Sequence, residues 1–264
     1  MKVACAQYAA GTDKDANLKT LGEQVASAAG QGARAVVAPE YAMFLSAHPD
    51  QEMVDAAEPL DGPFATEVAR LAREHRVALV AEMSERIPGE PRIFNTVVAY
   101  EADGRRLGTY RKLHMFDAFG WKESDWVRPG EPRDLLTFTV DGVTFGVLTC
   151  YDLRFPELAR AVADQGAQVL VIPAAWVAGP RKEDHWATLA RARAIENTAY
   201  VVAAGQAPPM CAGHSMVVDP MGVPVAQLGE TPGIAVGEVS AERLDAVRTR
   251  NPCLAHRRFR VTPR

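Results

Sequence analysis

The stretch Val143-Thr144-Phe145-Gly146-Val147-Leu148-Thr149-Cys150 carries the clearest structural signal in the chain. Its apolar run predicts a buried strand over residues 143–149, and Cys150 stands at the carboxyl end of that strand. A proline in the first turn and a glycine after the end delimit a predicted helix over residues 156–165. Residues 168–172 then form a second buried strand, so the three elements together predict one βαβ unit.

The rest of the chain continues this alternation of period-two apolar runs and helical stretches. Further strands are expected at residues 2–7, 34–38, 77–83, 94–101, 106–112, 135–140, 199–204, 215–219 and 223–227. Further helices are expected at residues 15–30, 64–75, 184–197 and 241–249. Because no linker is long enough to divide the chain, we expect one α/β domain over residues 1–264.

Composition excludes several classes of protein. A content of 48% hydrophobic and 23% charged residues is ordinary for a globular protein, which sets aside disordered and fibrous chains. The formal net charge is −4 and the basic residues are scattered, so no nucleic-acid partner is expected. No apolar run is long enough for a membrane span or an export signal, so no membrane partner is expected.

The cysteine pattern favours a reducing compartment. Cys5, Cys150, Cys211 and Cys253 lie far apart and include no CxxC pair. Reduced thiols in the cytoplasm therefore fit this sequence better than a disulfide framework.

Three polar side chains share one position relative to the predicted sheets. Glu40, Lys112 and Cys150 each come directly after a predicted buried strand. Functional groups of α/β proteins gather beyond the carboxyl ends of strands, so we expect these side chains to meet. Each of them alone has an ordinary explanation, an inert core thiol or a solvated charge, and their coincidence is the signal.

Three ordered segments resemble the signatures of a known family. They are Ala38-Pro39-Glu40, Tyr110-Arg111-Lys112-Leu113-His114-Met115-Phe116-Asp117 and Cys150-Tyr151-Asp152-Leu153-Arg154-Phe155-Pro156-Glu157. They resemble the three signatures of the nitrilase superfamily of carbon–nitrogen hydrolases. The sequence similarity to this family continues as far as His256-Arg257-Arg258. The resemblance implies a four-layer αββα sandwich and a homodimer or higher homo-oligomer. No cofactor is expected, since the sequence has no cluster of metal ligands and no phosphate-binding glycine-rich loop.

The resemblance also implies roles for four side chains and one backbone group. Cys150 would attack a small amide, and Glu40 would be the general base that moves protons to nitrogen and from water. Lys112 would favour the thiolate of Cys150 and then stabilise the oxyanion, with the N–H of Tyr151 as a second donor. Glu123 matches the second glutamate of the family.

Other residues near these motifs receive secondary interpretations. Trp176 follows the strand after the one that ends at Cys150, and Phe116 and Phe44 lie just beyond Lys112 and Glu40. All three are candidate walls of the substrate pocket. The charged residues of the cysteine motif, Asp152, Arg154 and Glu157, are interpreted as ion pairs that hold the turn.

Alternative functions remain open on the sequence. A Cys–His hydrolase would use His114, His185 or His214 as its base, although these histidines lack the spacing of metal ligands. A binding or scaffold protein of the same fold would need no reactive thiol.

Within the superfamily, nitrilases generally carry Cys-Trp-Glu at the nucleophile, whereas this chain has Cys150-Tyr151-Asp152. The sequence is therefore most similar to the amidase branch, in particular the Nit proteins that include deaminated-glutathione amidases and ω-amidases. That similarity implies a carboxylate-bearing amide as substrate, with a nitrile or an N-carbamoyl compound as the alternative.

Overall fold

The computed structural model of the chain describes residues 1–263, so Arg264, the last residue of the expected domain, lies outside the described residues. Its strands, in chain order, are β1 (Lys2–Gln7), β2 (Ala33–Val37), β3 (Ala78–Arg86), β4 (Ile93–Tyr100), β5 (Arg106–Arg111), β6 (Thr137–Val140), β7 (Val143–Val147), β8 (Val169–Ala174), β9 (Tyr200–Gly205), β10 (Met216–Val218), β11 (Pro224–Gln227) and β12 (Gly233–Glu238). Its α-helices are α1 (Lys14–Gly30), α2 (Gln51–Ala56), α3 (Pro63–His75), α4 (Pro156–Asp164), α5 (Lys182–Asn197) and α6 (Ala241–Arg250).

The strands form two six-stranded sheets. The first sheet has the order β12-β1-β2-β3-β4-β5 and the second has the order β11-β10-β9-β8-β7-β6. Strands β1, β2 and β3 run parallel, as do β7, β8 and β9, while the outer strands pair antiparallel. Because parallel strands end at one edge, the residues that follow β2 and β7 come to the same end of the molecule.

Helices cover the outer face of each sheet. Helices α1 and α3 pack on the first sheet, and α4 and α5 pack on the second. The inner faces pack against each other, and the thiol of Cys5 on β1 contacts the carbonyl oxygen of Met216 on β10 at 3.4 Å. The layers are therefore helix, sheet, sheet and helix, and the expected αββα sandwich is confirmed.

Small residues set the distances between these layers. A Cβ atom at Gly146 of β7 would lie 2.1 Å from Val162 of α4, so glycine allows the helix to approach the strand. Likewise, a Cβ atom at Gly237 of β12 would lie 2.8 Å from Val217 of β10. Both glycines are explained by close packing.

Two elements were missing from the sequence prediction. The short helix α2 begins at the N-cap Asp50, whose side chain accepts a hydrogen bond from Met53. Strand β12 is rich in small residues and is held by antiparallel pairing with β1, which lies at the other end of the chain. The helices and strands that the sequence predicted are all present, although their ends are shifted by a few residues. None of the helices within residues 1–263 has the length and apolar character needed to cross a bilayer.

Candidate active site

Cys150 lies where β7 gives way to a short 3₁₀ helix, Cys150–Arg154. Its φ angle is +46°, a left-handed conformation that non-glycine residues seldom adopt. Such strain is maintained only when the surrounding structure enforces it, and it often marks a functional position. The next residue, Tyr151, is in the first turn of the 3₁₀ helix, where backbone N–H groups have no acceptor within the helix.

Asp152 holds this turn in place. Its fully buried carboxylate accepts hydrogen bonds from the backbone N–H of Thr149 at 3.0 Å and from the hydroxyl of Tyr110 at 2.6 Å. It also accepts from the backbone N–H of His114 at 3.1 Å and lies 2.7 Å from Nδ1 of the same residue. Asp152 thereby joins the cysteine turn to Tyr110 and His114, which lie two positions before and two positions after Lys112.

The expected ion pairs within the cysteine motif were wrong. Asp152 contacts Tyr110 and His114 instead of Arg154, and Glu157 is an exposed residue in the first turn of α4. The acidic and basic groups of this motif point to different neighbours because the 3₁₀ turn separates their side chains.

Glu40 follows β2, and its carboxylate is fully engaged. Oε1 accepts from Nζ of Lys112 at 2.9 Å and from Nδ2 of Asn95 at 2.8 Å, and Oε2 accepts from the backbone N–H of Ala175 at 2.8 Å. Ala175 follows β8, so this contact joins the two sheets. The carbonyl of Glu40 also accepts from Nε2 of Gln206 at 2.9 Å.

Glu123 lies in a short 3₁₀ helix, Glu123–Asp125, and grips Lys112 from the other side. Both of its carboxylate oxygens lie 2.9 Å from Nζ of Lys112. The hydroxyl of Tyr41 and the backbone N–H of Phe116 donate to the same carboxylate, at 2.9 and 2.6 Å. Lys112, Glu40 and Glu123 are at most 3% exposed, so one buried ammonium is shared by two buried carboxylates.

The electrostatics of this group correct one expectation. Burial opposes the charge of Lys112, but Glu123 and Glu40 outweigh it and raise the pKa of the ammonium well above its usual value. Burial and the charge of Glu40 raise the pKa of the Cys150 thiol well above its usual value, against the opposing effect of Lys112. The expected shift toward a thiolate is therefore wrong in its net direction. Because two carboxylates already face one ammonium, a thiolate would add a third negative charge.

The structure reveals a further glutamate behind the site. Glu82 of β3 is fully buried, and one of its carboxylate oxygens accepts a hydrogen bond from the backbone N–H of Tyr41. The other oxygen has no hydrogen-bond partner within residues 1–263. Burial, then the charge of Glu40, raises the pKa of Glu82 well above its usual value. Its environment therefore favours the neutral carboxylic acid form of Glu82.

A mainly apolar cavity opens above these groups. It is lined by Glu40, Tyr41, Phe44, Leu45, Ser46, Pro49, Met53, Lys112, Phe116, Trp121, Glu123, Cys150, Ala175, Val177, Met210 and Cys211. The cavity therefore brings together the four residues that the sequence analysis proposed as catalytic.

The candidate pocket walls divide into two groups. Phe44 and Phe116 line the cavity, whereas Trp176 lies behind it and donates from Nε1 to the carbonyl of Lys182 at 2.7 Å. Its neighbours Ala175 and Val177 face the cavity in its place. The ring of Tyr151 also lies outside the lining, in edge contact with Phe116 at 5.2 Å between ring centroids.

The three histidines of the Cys–His alternative are absent from the lining of this cavity in the described part of the chain. His114 stacks on Phe155 with ring centroids 3.6 Å apart, and His185 lies 3.4 Å from a guanidinium nitrogen of Arg154. Within residues 1–263, no group of three or more His, Cys, Asp or Glu side chains is arranged to hold a metal ion.

Sequence reasoning missed the residues that support the site. Tyr41 directly follows Glu40, and its place next to the motif was the available signal. Asn95, Glu82 and Gln206 stand in or beside ordinary strand sequence, and only the assembled sheets bring them to Glu40 and Tyr41.

Comparison with known proteins agrees with the geometry. The carbon-nitrogen hydrolase family matches residues 2–249. The chain is 41% identical over 262 residues to the deaminated glutathione amidase of Escherichia coli O157:H7, covering 98% of both proteins.

Two solved structures have the same fold. Nit3 of Saccharomyces cerevisiae, a member of branch 10 of the nitrilase superfamily, is 30% identical with a TM-score of 0.86, over 98% of this chain and 97% of that one. The NitFhit protein of C. elegans is 31% identical with a TM-score of 0.90, and the match covers 97% of this chain and 65% of NitFhit. The chain therefore belongs to the carbon-nitrogen hydrolase family and is an enzyme that hydrolyses carbon–nitrogen bonds.

Proposed function

We propose that this enzyme hydrolyses a small carboxylate-bearing amide through a thioester on Cys150 and releases ammonia or an amine. The observation that carries the proposal is the buried ammonium of Lys112 shared by Glu40 and Glu123 beside Cys150 in one cavity. An amide needs a nucleophile, an oxyanion donor and a proton carrier at once, and this group supplies all three.

Acylation begins with a thiol, because Cys150 is protonated in the free enzyme. The charge of Glu40 acts on this thiol, so Glu40 takes the proton as sulfur attacks the carbonyl carbon. The ammonium of Lys112 and the N–H of Tyr151 stabilise the oxyanion. Glu40 then returns the proton to the amide nitrogen, the C–N bond breaks, and the amine leaves.

Deacylation reverses the direction of proton transfer. Glu40 removes a proton from water, and the resulting hydroxide attacks the thioester carbonyl. The C–S bond breaks, the thiol of Cys150 recovers its proton, and the carboxylic acid leaves. Glu123 holds Lys112 in the same position through both stages by its two contacts.

Deaminated glutathione is the first substrate to test, because relatives that share 35–41% identity over nearly the whole chain carry the name deaminated glutathione amidase. The sequence Cys150-Tyr151-Asp152 favours an amide over a nitrile, and an N-carbamoyl compound is the second candidate. The decisive experiment is an ammonia-release screen of deaminated glutathione, α-ketoglutaramate, asparagine and N-carbamoyl amino acids. We expect turnover of at least one carboxylate-bearing amide and none by Cys150→Ala. Turnover of N-carbamoyl amino acids alone, or of none of these compounds, would overturn the proposal.

We also propose a cytoplasmic homodimer or higher homo-oligomer. All four cysteines are free, which fits a reducing compartment. Ile195 of α5 and Met221, Val223 and Val225 around the edge strand β11 are large apolar side chains that are between 45% and 53% exposed, and such a patch fits a second copy of the chain. Light scattering coupled to gel filtration should find a dimer or larger species, and Val223→Glu should shift it toward the monomer. A monomeric wild type at micromolar concentration would contradict this.

A further inference from the structure

Lys182, at the first position of α5, is a buried lysine in an aromatic cage. The residue is only 6% exposed. Its ammonium lies 4.4 Å from the ring centroid of Phe119, 4.9 Å from that of Phe116 and 5.0 Å from that of Trp176. The negative faces of these aromatic rings attract the ammonium. They replace part of the hydration that the ammonium has lost.

No anion accompanies this charge. Among residues 1–263, Lys182 makes no ion pair, and no carbonyl or carboxylate accepts a hydrogen bond from its Nζ. A charge of the same sign shares one of these rings: the guanidinium carbon of Arg154 lies 4.7 Å from the centroid of Trp176, which also faces Lys182. Burial, then the charge of Arg154, lowers the pKa of Lys182.

Arg154 is also without an acidic partner in the described residues. Its Nε is buried and has no hydrogen-bond acceptor, and its one side-chain hydrogen-bond partner among the described residues is Nδ1 of His185, at 3.4 Å from a guanidinium nitrogen. Two neighbouring cations therefore lie in one apolar cage, although buried charges in proteins are ordinarily paired. The arrangement is costly unless an anion joins it.

The cage adjoins the catalytic cavity. Phe116 belongs to both, since its ring faces Lys182 and also lines the cavity. Lys182 itself lies outside the lining, and the charges of the thiols of Cys150 and Cys211, which belong to the lining, act on the pKa of Lys182. Lys112, by contrast, is fully engaged by Glu40 and Glu123. The uncompensated positive charge next to the cavity is thus that of Lys182 and Arg154.

We propose that Lys182 is the specificity-determining residue that binds the carboxylate of the substrate's acyl chain. The inference rests on the proposed function, because Lys182 would bind the carboxylate of the same substrate whose amide carbonyl carbon lies at Cys150. The carboxylate forms an ion pair with Lys182, and Arg154 adds to the positive field. The buried ring of Trp176 and the ring of Phe116 limit the access of water to the pair, which strengthens it, whereas Phe119 is 66% exposed.

The first test uses alkylation of Cys150 and requires no amide hydrolysis. N-iodoacetyl-β-alanine and its neutral methyl ester form the same bond to sulfur and differ in one charge. Rates at Cys150 are measured by peptide mass spectrometry for wild type, Lys182→Met, Lys182→Arg and the exposed control Lys19→Met. We expect Lys182→Met to lower the ratio of anionic to neutral rates by about 10- to 100-fold, the effect of one charged hydrogen bond. Lys182→Arg and Lys19→Met should keep most of the ratio.

The second test uses a chain-matched pair of amides, succinamate and butyramide. Lys182→Met should raise the KM for succinamate by about 10- to 100-fold with a much smaller change in kcat, and should leave kcat/KM for butyramide within about threefold. Equal losses on both amides, or equal slowing of both alkylating reagents, would overturn the inference, because Lys182 would then act on the thiol or on folding. A wild type without charge preference would overturn it too. If the wild type reacts faster with the anionic reagent, loses this preference in Lys182→Met, and hydrolyses no amide, the carboxylate site is supported and the proposed function is refuted.

Discussion

The ammonium of Lys112 contacts both carboxylate oxygens of Glu123, at 2.9 Å each. It contacts a single oxygen of Glu40, whose other oxygen accepts from the backbone N–H of Ala175. Glu40 also interacts with the thiol of Cys150. The two carboxylates are therefore not equivalent: Glu123 fixes the lysine, and Glu40 faces the nucleophile.

Replacing Glu40 or Glu123 by glutamine should give two different catalytic defects. Glu40→Gln should lose about 10²- to 10⁴-fold in kcat, because a neutral amide accepts no proton from the thiol or from water. Glu123→Gln keeps the hydrogen-bonding shape around Lys112 and should still acylate slowly. Intact-protein mass spectrometry with substrate should find an acyl adduct on Cys150 in Glu123→Gln and little in Glu40→Gln. Equal adducts and equal turnover in both variants would show that the roles are misassigned.

Replacing the nucleophile should abolish turnover without unfolding the protein. Cys150→Ala should release no ammonia and retain the circular dichroism spectrum of wild type, with Cys253→Ser as an active control. Iodoacetamide should modify Cys150 before Cys211, because Glu40 takes the proton of the Cys150 thiol as the sulfur reacts. Cys211 lines the same cavity, and burial raises its pKa to about 12. Modification in the opposite order would count against Cys150.

Glu82 should make the free energy of unfolding depend on pH. Its pKa is raised in the folded state, so between the unfolded and folded values the unfolded chain binds fewer protons. In that window, which starts at about pH 4.3, rising pH destabilises the fold by up to about 1.4 kcal/mol per unit. Glu82→Gln keeps an acceptor for the N–H of Tyr41 and removes the titration. Urea unfolding should show the variant gaining stability over wild type as pH rises above about 4.3, and a constant difference would refute the neutral carboxyl.

The hydroxyl of Tyr110 should matter for both stability and rate. Tyr110→Phe removes one of the donors to the buried carboxylate of Asp152, which costs about 1.5–3 kcal/mol of unfolding free energy. Because Asp152 links the cysteine turn to the neighbours of Lys112, kcat should fall as well. Tyr200→Phe removes the hydroxyl of another buried tyrosine, one that contacts Ser240 away from the cavity, and should leave kcat unchanged. Equal kcat in the two variants would separate Asp152 from catalysis.

Chelation should not affect the reaction. The proposed steps use only side chains and backbone N–H groups, so dialysis against EDTA should leave the rate of ammonia release unchanged. A loss of activity that zinc restores would require a different mechanism.

The sequence predicted which of the proposed catalytic residues line one cavity better than it predicted the residues that support them. Glu40, Lys112 and Cys150 each follow a strand, and strand ends are visible in the apolar pattern. The contacts of Asn95 and Gln206 with Glu40 depend on how strands and sheets pack, which no local pattern encodes.

The protonation of Cys150 could not be predicted either. A motif names a lysine near a cysteine, but the net shift depends on burial and on the number of carboxylates around the same ammonium. In the same way, the sequence of the cysteine motif predicted ion pairs between Arg154 and its acidic neighbours. In the structure the 3₁₀ turn places the guanidinium of Arg154 against Trp176 and His185.

The contacts that join the two sheets also determine when activity can appear during refolding. Glu40 meets the N–H of Ala175 across 135 positions of sequence and Gln206 across 166, and both contacts require the two halves of the chain to have docked. Contacts between such distant positions form slowly, because long loops must close first. A refolding chain should therefore recover its helical circular dichroism before it recovers catalysis, and the delay between the two signals would time the docking of the sheets.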